Sequence, residues 1–268
     1  MADMLAAAVG SAARLIVESR HVVALVGAGL SSESGIPTFR GPGGLWTRLR
    51  EPSTNGYDLF LEDPAGWWEQ QLDQQADPVR TEFRAAIDRA EPNPGHFALA
   101  ELEKLGVLKM TITQNVDDLH FKAGSKLVAE IHGNRTKLRC ILCESRWLRD
   151  GFVTEEYPPR CQECGGLVKT DTVMFGEPIP SGVLDLCFRE ADQCDCMIVA
   201  GTSATVHPAA SFPESVKDRG GALIEANPNE TLLTSLGDVV LRGPTGKTLP
   251  MVVRRVRKLM GLHPDMES

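Results

Sequence analysis

The sequence predicts an α/β fold in which a mostly parallel sheet is covered by helices, with a second, smaller module formed by insertions. Two observations support this. Short apolar, β-branched runs alternate with helical patterns along most of the chain, as in parallel sheets. Two segments interrupt the alternation: Gly41 to about Arg89, rich in Pro, Gly and Trp, and Cys140–Gly166, which carries four cysteines. Each insertion leaves the sheet and returns to it.

The predicted strands are five short apolar runs bounded by turn residues. They are Val22–Val26, Leu108–Thr113, Cys196–Ala200, Gly221–Ile224 and Val239–Leu241. Helical patterns cover the amino terminus up to Ser19-Arg20, then Asn93–Leu105 and Pro208–Lys217. Asn93-Pro94 suits a helix start, because proline is tolerated in the first turn.

We expect one domain over residues 1–268. Its large part covers 15–40, 90–135 and 168–255, with a helical or loop insertion at 41–89 and a cysteine module at 136–167. With 42% hydrophobic residues the chain can bury a sizeable core. The net charge of −8 argues against nucleic-acid binding through phosphates. Neither an apolar run of membrane-spanning length nor a secretory signal pattern is present, so we expect an intracellular protein.

The first strand runs directly into a glycine-rich loop, GAGLSSESGIPTFR (Gly27–Arg40). Glycines after a strand let backbone N–H groups approach a pyrophosphate, as in Rossmann-like nucleotide sites. The match to G-x-G-x-x-G is incomplete, because Ser32 stands at the third glycine. No ribose-binding acid follows about 20 residues later, as the dehydrogenase pattern requires. The loop therefore predicts nucleotide binding but not ordinary hydride transfer.

The four cysteines of the second insertion form two C-x-x-C pairs, Cys140/Cys143 and Cys161/Cys164, with 17 residues between the pairs. This is the spacing of a zinc ribbon, and a four-sulfur shell makes the zinc structural. The alternative is four unrelated buried thiols or disulfides. The other three cysteines (Cys187, Cys194 and Cys196) lack ligand spacing, so we expect them in the core or at an edge.

Beyond the glycine loop that follows the first strand, polar residues follow three more of the predicted strands, at the strand ends where open parallel sheets bind ligands. The segment Thr113–His120 follows the second strand, Gly201–Ser203 follows the third, and Asn227–Asn229 follows the fourth. His132 lies just ahead of the cysteine module and can serve as a general base, because imidazole titrates near neutrality. We therefore expect a single nucleotide crevice at this edge of the sheet.

In combination, these segments resemble the sirtuin family. The motifs appear in the family's order over roughly residues 15–255: GAGLSSESGIPTFRG, TQNVDDLH, EIHG, the paired C-x-x-C, VMFGE, GTSATVHP and EANPN. TFRGPGGLW and GPTGKTLP are most similar to the class III branch. The resemblance implies a Rossmann-like domain with a zinc-ribbon module, and NAD-dependent removal of acyl groups from lysine side chains.

The resemblance also implies site residues. His132 is the expected general base, and Asn115 and Asp117 shape the nicotinamide pocket. The NAD contacts are expected from Gly27, Ala28, Gly29, Ser32, Thr38, Phe39, Arg40, Gln114, Asn115, Asp117, Gly201, Thr202, Ser203, Asn227, Asn229 and Thr245. Main-chain atoms of Val173, Phe175, Gly176 and Glu177 are expected to pair with an extended acylated-lysine peptide.

In the chemistry that the resemblance implies, NAD is a consumed substrate. The acyl oxygen attacks the anomeric carbon as nicotinamide leaves, and His132 then promotes attack by a ribose hydroxyl. The products are free lysine and O-acyl-ADP-ribose. This chemistry accounts for the departure of the glycine loop from the dehydrogenase pattern.

One departure from the class III pattern concerns the acyl group. Where members that prefer acidic acyl groups carry Tyr and Arg three residues apart, the ungapped match places Gln71 and Gln74. Neutral amides offer no charge pairing, and Glu69 and Asp73 would repel a dicarboxylate. We therefore predict deacetylation and weak desuccinylation, unless the acyl-pocket alignment is wrong.

Two other functions fit the residues. Mono-ADP-ribosyl transfer shares the departure of nicotinamide, with a protein nucleophile capturing the ribose. A zinc-ribbon binding module with a vestigial nucleotide loop needs no catalysis, but His132, Asn115 and Asp117 are all in place. We expect a monomer whose partner is an acylated protein or peptide.

Overall fold

The structure, a computed structural model, describes residues 2–40, 44–49, 53–73, 78–154 and 156–262. The strands are β1 (Val22–Val26), β2 (Leu108–Thr113), β3 (Val128–Glu130), β4 (Lys137–Cys140), β5 (Arg146–Leu148), β6 (Val168–Thr170), β7 (Cys196–Ala200), β8 (Ala222–Asn227) and β9 (Val239–Arg242). The helices are α1 (Ala2–Glu18), α2 (Ala28–Ser31), α3 (Leu45–Leu49), α4 (Gly56–Glu62), α5 (Pro64–Leu72), α6 (Pro78–Arg89), α7 (Pro94–Lys104), α8 (Leu119–Lys122), α9 (Ser181–Gln193), α10 (Phe212–Asp218) and α11 (Thr245–Leu259).

The large sheet has the strand order β3-β2-β1-β7-β8-β9, and every neighbouring pair is parallel. This is the classic doubly wound order, with β1 at the centre and the topological switch beside it. All five side chains of β1 are buried, as expected for a strand covered on both faces. The predicted α/β, Rossmann-like fold is confirmed.

Alternate residues of β1 belong to two separate cores. Val22, Ala24 and Val26 pack with buried residues of α1, α7 and α11 on one face. Val23 and Leu25 pack with buried residues of α9 and α10 on the other. This division follows from the two-residue period of a strand. Because helices cover both faces of the strand, only its ends are available to contact a ligand.

The two insertions pack together as one small body. One contributes α3–α6, and the other contributes the antiparallel sheet β5-β4-β6. Trp68 of α5 is buried in that body and donates its indole N–H to the Val168 carbonyl over 3.0 Å. Val168–Thr170 (β6) pairs with β4, so the small sheet runs past residue 167, where the predicted cysteine module ends.

Several predicted bounds differ from those of the structure. β8 runs on to Asn227, because Glu225 is buried there and accepts hydrogen bonds from the hydroxyls of Thr231 and Thr234. The helix predicted at Pro208–Lys217 begins at Phe212 after a 3₁₀ turn. The large part takes in α1 from Ala2, beyond the expected start at 15, and α11 to Leu259, beyond the expected end at 255.

Asn93 caps α7 as the sequence predicts. Its side chain accepts from the backbone N–H of Gly95, and His96 accepts in return from the Asn93 N–H. Across the ranges described above, no helix is both long and apolar enough to cross a membrane.

Candidate functional site

A cavity of about 1380 Å³ opens where β1, β2, β7 and β8 end, on the side that faces the small body. Twenty of the predicted site residues line it, from all four strand ends and from the small body. They are Gly27, Ala28, Gly29, Ser32, Thr38, Phe39, Arg40, Gln71, Gln114, Asn115, His132, Val173, Phe175, Gly176, Glu177, Gly201, Thr202, Ser203, Asn227 and Asn229.

The glycine loop lies directly against the loop that follows β7. The Gly29 N–H donates to the Gly201 carbonyl over 2.7 Å, and the Gly27 N–H donates to Ala200 over 3.1 Å. A Cβ on Gly29 would stand 2.7 Å from the Gly201 oxygen, and one on Gly27 would stand 2.7 Å from Cβ of Thr202. Glycine is therefore required at both positions, and the backbone is left bare for a phosphate to approach.

Side-chain amides join the strand ends behind this loop. Gln114 donates to the Thr202 hydroxyl over 3.0 Å, and Asn227 donates to the Thr202 carbonyl over 3.1 Å. Asn115 donates to the Gly27 carbonyl and to the Ser31 hydroxyl. The ends of β1, β2, β7 and β8 are thus fixed relative to one another, and this arrangement preorganises the cavity.

Asp117 lies behind the cavity wall and is absent from its lining. It accepts a 2.6 Å hydrogen bond from Ser31, and burial raises the pKa of its carboxyl group. It is linked to the cavity wall through Ser31, whose hydroxyl also accepts a hydrogen bond from Asn115, and its contact with the nucleotide stays a prediction. Sequence spacing places Asp117 in the right cluster but does not show which way its side chain points.

Two buried histidines lie beyond Ser31. The rings of His96 and His120 meet edge to face, with centroids 5.2 Å apart. Burial lowers the pKa of His96 to about 4 and that of His120 to about 3. Both imidazoles are therefore neutral at physiological pH.

His132 lies on the cavity wall beside the end of β2. Its Nδ1 is 3.2 Å from the Gln114 carbonyl, so in the neutral ring Nδ1–H donates and Nε2 can accept a proton. Burial lowers the pKa of His132, which keeps the ring in the form that a general base needs.

The loop Thr38–Arg40 covers one side of the cavity. The Arg40 guanidinium stacks 4.4 Å above the Trp46 ring and donates to the Thr205 hydroxyl over 2.8 Å. Phe39 packs against Trp46, with ring centroids 5.3 Å apart. These contacts hold the loop between the small body and the segment that follows β7.

The small body adds a basic wall that the sequence interpretation missed. Gln71 lines the cavity as predicted and accepts a 2.8 Å hydrogen bond from Arg84. Arg80, Arg135 and Arg149 line the same region, and together with burial their charges lower the pKa of Arg84. Gln74 lies outside the described residues.

A signal for this wall does exist in the sequence. Arg80, Phe83, Arg84 and Ile87 recur at helical spacing on α6, and all four line the cavity. The same stripe would suit a helix packed on any partly apolar surface, so periodicity alone does not reveal the cavity.

The predicted peptide-binding segment, Val173–Glu177, lies next to His132. The Val173 N–H donates to the His132 carbonyl over 2.9 Å, and the Phe175 carbonyl accepts from Tyr57 over 3.0 Å. Gly176 has φ = +84°, a conformation that glycine adopts readily. The segment is thus a turn fixed from two sides, and some of its main-chain groups are engaged within the chain.

Thr245 does not line the cavity. It is buried at the start of α11, where its hydroxyl lies 3.3 Å from a Glu33 carboxylate oxygen. Glu33 also accepts from the Gly246 N–H over 2.8 Å. Glu33 and the helix start thus enclose the side chain of Thr245, and its contact with the nucleotide stays a prediction.

The four predicted metal ligands converge. The sulfur atoms of Cys140, Cys143, Cys161 and Cys164 all lie within 4.8 Å of one another, and none is in a disulfide. Four thiolates at tetrahedral spacing fit structural zinc and leave no open coordination position. Burial raises the pKa of Cys187, Cys194 and Cys196 to between about 11 and about 12, so these thiols are not reactive.

The sequence model of the Sir2 family matches residues 27–208, which is more than half of the chain. The chain belongs to the Sir2 family. The predicted sirtuin resemblance is thereby confirmed, while assignment to the class III branch stays a prediction.

Relatives and solved structures agree with this membership. The chain is 44% identical over 257 residues to an NAD-dependent protein deacylase of Thermococcus kodakarensis, covering 94% of this chain and 96% of the relative. It is 47% identical over 252 residues to NAD-dependent protein deacylase 1 of Archaeoglobus fulgidus, covering 92% and 97%. A Sir2 homologue in complex with NAD shares 46% identity and a TM-score of 0.76, with 92% of this chain and 93% of that chain covered.

Proposed function

We propose that this Sir2 protein removes acetyl, or another neutral acyl group, from lysine side chains of a peptide or protein. At the coarser level it is an NAD-dependent protein deacylase, with NAD consumed as co-substrate and a structural zinc site in the small body. The contact between the glycine loop and the loop after β7 is consistent with NAD binding, because two backbone segments without side chains meet there, where the pyrophosphate would lie.

The position of His132 carries the proposal. Its Nε2 is free to accept a proton while Nδ1–H is held by the Gln114 carbonyl, and the glycine loop lines the same cavity. In the proposed reaction His132 takes a proton from a ribose hydroxyl, and Asn115 helps to hold the loop that positions the ribose. The remaining task is to orient the reactants and exclude water, which the enclosing Thr38–Arg40 loop supports.

The preference for a neutral acyl group rests on Gln71, which lines the cavity without carrying a charge. The test is to assay one peptide in acetyl-lysine and succinyl-lysine forms, with nicotinamide release as the readout. Faster turnover of the acetyl peptide is expected, and faster turnover of the succinyl peptide would overturn the preference.

The basic wall favours a second candidate, removal of dicarboxylic acyl groups. Arg84 donates to Gln71, and a guanidinium at that position can pair with a terminal carboxylate. If this candidate holds, Arg84→Gln lowers succinyl turnover at least about tenfold, the factor that 1.4 kcal/mol represents, and spares acetyl turnover. Arg89→Gln is the matched control, because Arg89 is exposed at the end of the same helix and does not line the cavity.

A further inference from the structure

A cluster of buried charges lies beneath the peptide-binding turn and has no part in the chemistry described above. Lys169 on β6 is fully buried, and its Nζ lies 3.0 Å from Oε2 of Glu177. Arg139 on β4 is also buried and donates from Nη2 to Oε1 of Glu177 over 2.5 Å. Each oxygen of the Glu177 carboxylate therefore has a cation of its own.

Glu177 also holds the turn Val173–Glu177 directly. Its Oε2 accepts from the backbone N–H of Met174 over 2.8 Å, and its own N–H donates to the Met174 carbonyl over 3.0 Å. The side chain is 2% exposed. It is therefore placed to shape the turn, and the peptide cannot reach its carboxylate.

Asp171 extends the cluster toward the catalytic histidine. It accepts from Nε of Arg139 over 3.1 Å and from the backbone N–H of Asn134 over 2.9 Å. Asn134 follows His132 by two residues, and Arg139 directly precedes the zinc ligand Cys140. A single set of buried charges thus joins the zinc module, the His132 turn and the peptide-binding turn.

We propose that the Glu177 carboxylate, held by Lys169 and Arg139, is a positioning group that fixes the turn Val173–Glu177 and thereby sets the affinity for the acylated peptide. The inference rests on the proposed function, in which this turn receives the peptide. Its physical basis is that charge-assisted hydrogen bonds to a fully buried carboxylate hold backbone more firmly than neutral bonds do.

The test is Glu177→Gln, assayed by steady-state kinetics with NAD and an acetyl-lysine peptide. Glutamine keeps the volume but turns an N–H₂ donor toward cations that need an acceptor. We expect KM for the peptide to rise about tenfold, equivalent to about 1.4 kcal/mol, while kcat and KM for NAD are unchanged. Glu101→Gln is the matched control, because Glu101 pairs with Arg257 outside the cavity.

Lys169→Met provides a second variant if Glu177→Gln does not fold. It removes one cation and keeps the aliphatic stem. It is likewise expected to raise the peptide KM. Provided that the wild-type enzyme is active, any of three results overturns the inference. The first is an unchanged peptide KM in both variants, and the second is failure of both variants to fold. The third is an equal loss in all kinetic constants together with a lower melting temperature. The last two would assign the cluster to general stability.

A peptide series separates positioning from direct contact. Peptides with and without Lys or Arg beside the acyl-lysine should show the same rise in KM, and a rise confined to the basic peptides would overturn the inference. A wild-type enzyme that releases no nicotinamide with any acyl peptide would overturn the proposed function, and the inference with it. An active wild type with an unchanged Glu177→Gln variant would overturn the inference alone.

Discussion

At the scale of single residues, the site depends on which tautomer or protonation state the surroundings impose. His132, His96 and His120 are all kept neutral by burial, yet only His132 lines the cavity. Its ring is oriented by the Gln114 carbonyl, so the nitrogen that can accept a proton is fixed by the fold.

His132→Ala is expected to abolish NAD-dependent deacylation while zinc content and the circular dichroism spectrum stay unchanged. The reason is that the variant removes the proton acceptor but no packing of the central strands. His21→Ala is the control, because His21 pairs with Glu190 away from the cavity. Substantial deacylation by His132→Ala would show that another group acts as the base.

The dependence of kcat on pH should also identify His132 as the general base. The base must be neutral, so kcat rises as pH increases through the pKa of His132. Because burial lowers that pKa below its ordinary value of 6.5, the rise should be complete by neutral pH. A pH–rate profile of wild-type protein that is still rising above pH 7 would contradict this assignment.

Single residues also show where sequence reasoning stops. His132, Gln114 and Asn115 could be assigned to the cavity from their motifs, and the structure places them on its wall. Asp117 and Thr245 were also assigned from the family resemblance, yet their side chains turn into the protein. A motif fixes the backbone position of a residue, whereas the direction of its side chain depends on partners such as Ser31 and Glu33, which are set by the tertiary structure.

At the scale of elements, the glycine loop and the loop after β7 act as one unit. Their backbones meet at Gly29 and Gly201, and the latter has φ = +62°. Such contact is possible only where neither segment carries a side chain, which explains glycine on both sides of the contact.

Gly29→Ala should therefore separate the two loops and weaken NAD binding at least about tenfold, the factor that 1.4 kcal/mol represents. Its free energy of unfolding should fall by about 1–3 kcal/mol, as for other overpacked sites. Gly182→Ala is the control, because nothing lies within 4 Å of a Cβ at that position in α9. It should stabilise the protein by roughly 0.5–1 kcal/mol. Calorimetric titration with ADP-ribose and thermal unfolding measure both effects, and unaltered ADP-ribose affinity in Gly29→Ala would contradict the contact.

Elements differ in how far the sequence predicts them. β1, β2 and β7 match the predicted runs residue for residue. β1 and β7 are continuous apolar stretches, as is typical of buried parallel strands, whereas β2 (LKMTIT) alternates apolar with polar residues at the two-residue period of a strand. β3 is three residues long and β6 continues a turn-rich segment, so neither has a pattern of its own. The basic face of α6 was missed because the same helical periodicity serves solvent, core or cavity.

At the scale of the whole molecule, the enzyme consists of a large parallel sheet and a small body that share one cavity. The small body has its own core around Trp68, Leu138 and Val168, and its own metal ligands. The monomeric state stays a prediction, as does the lack of nucleic-acid binding that the net charge of −8 indicates.

Removal of zinc should therefore destabilise the small body before it affects the large sheet. With a chelator, amide hydrogen exchange of β4, β5 and β6 is expected to accelerate, while β1, β2 and β7 stay protected. Activity should fall at the same time, because Arg139 directly precedes Cys140 and donates to Glu177 of the turn Val173–Glu177, which we propose receives the peptide. Restored zinc should reverse both effects. Uniform loss of protection in both sheets would contradict a separable small body.

The cavity wall formed by α6 has a consequence for how such an enzyme diversifies. The residues predicted to hold the nucleotide come from strand ends of the large sheet, whereas Arg80, Phe83 and Arg84 come from one helix of an insertion. Under the proposed function, exchanges on that helix are therefore expected to change which acyl group is removed without disturbing the cleavage of NAD. Acyl preference and NAD cleavage would then reside in different parts of the chain, so we expect that each can be altered without the other.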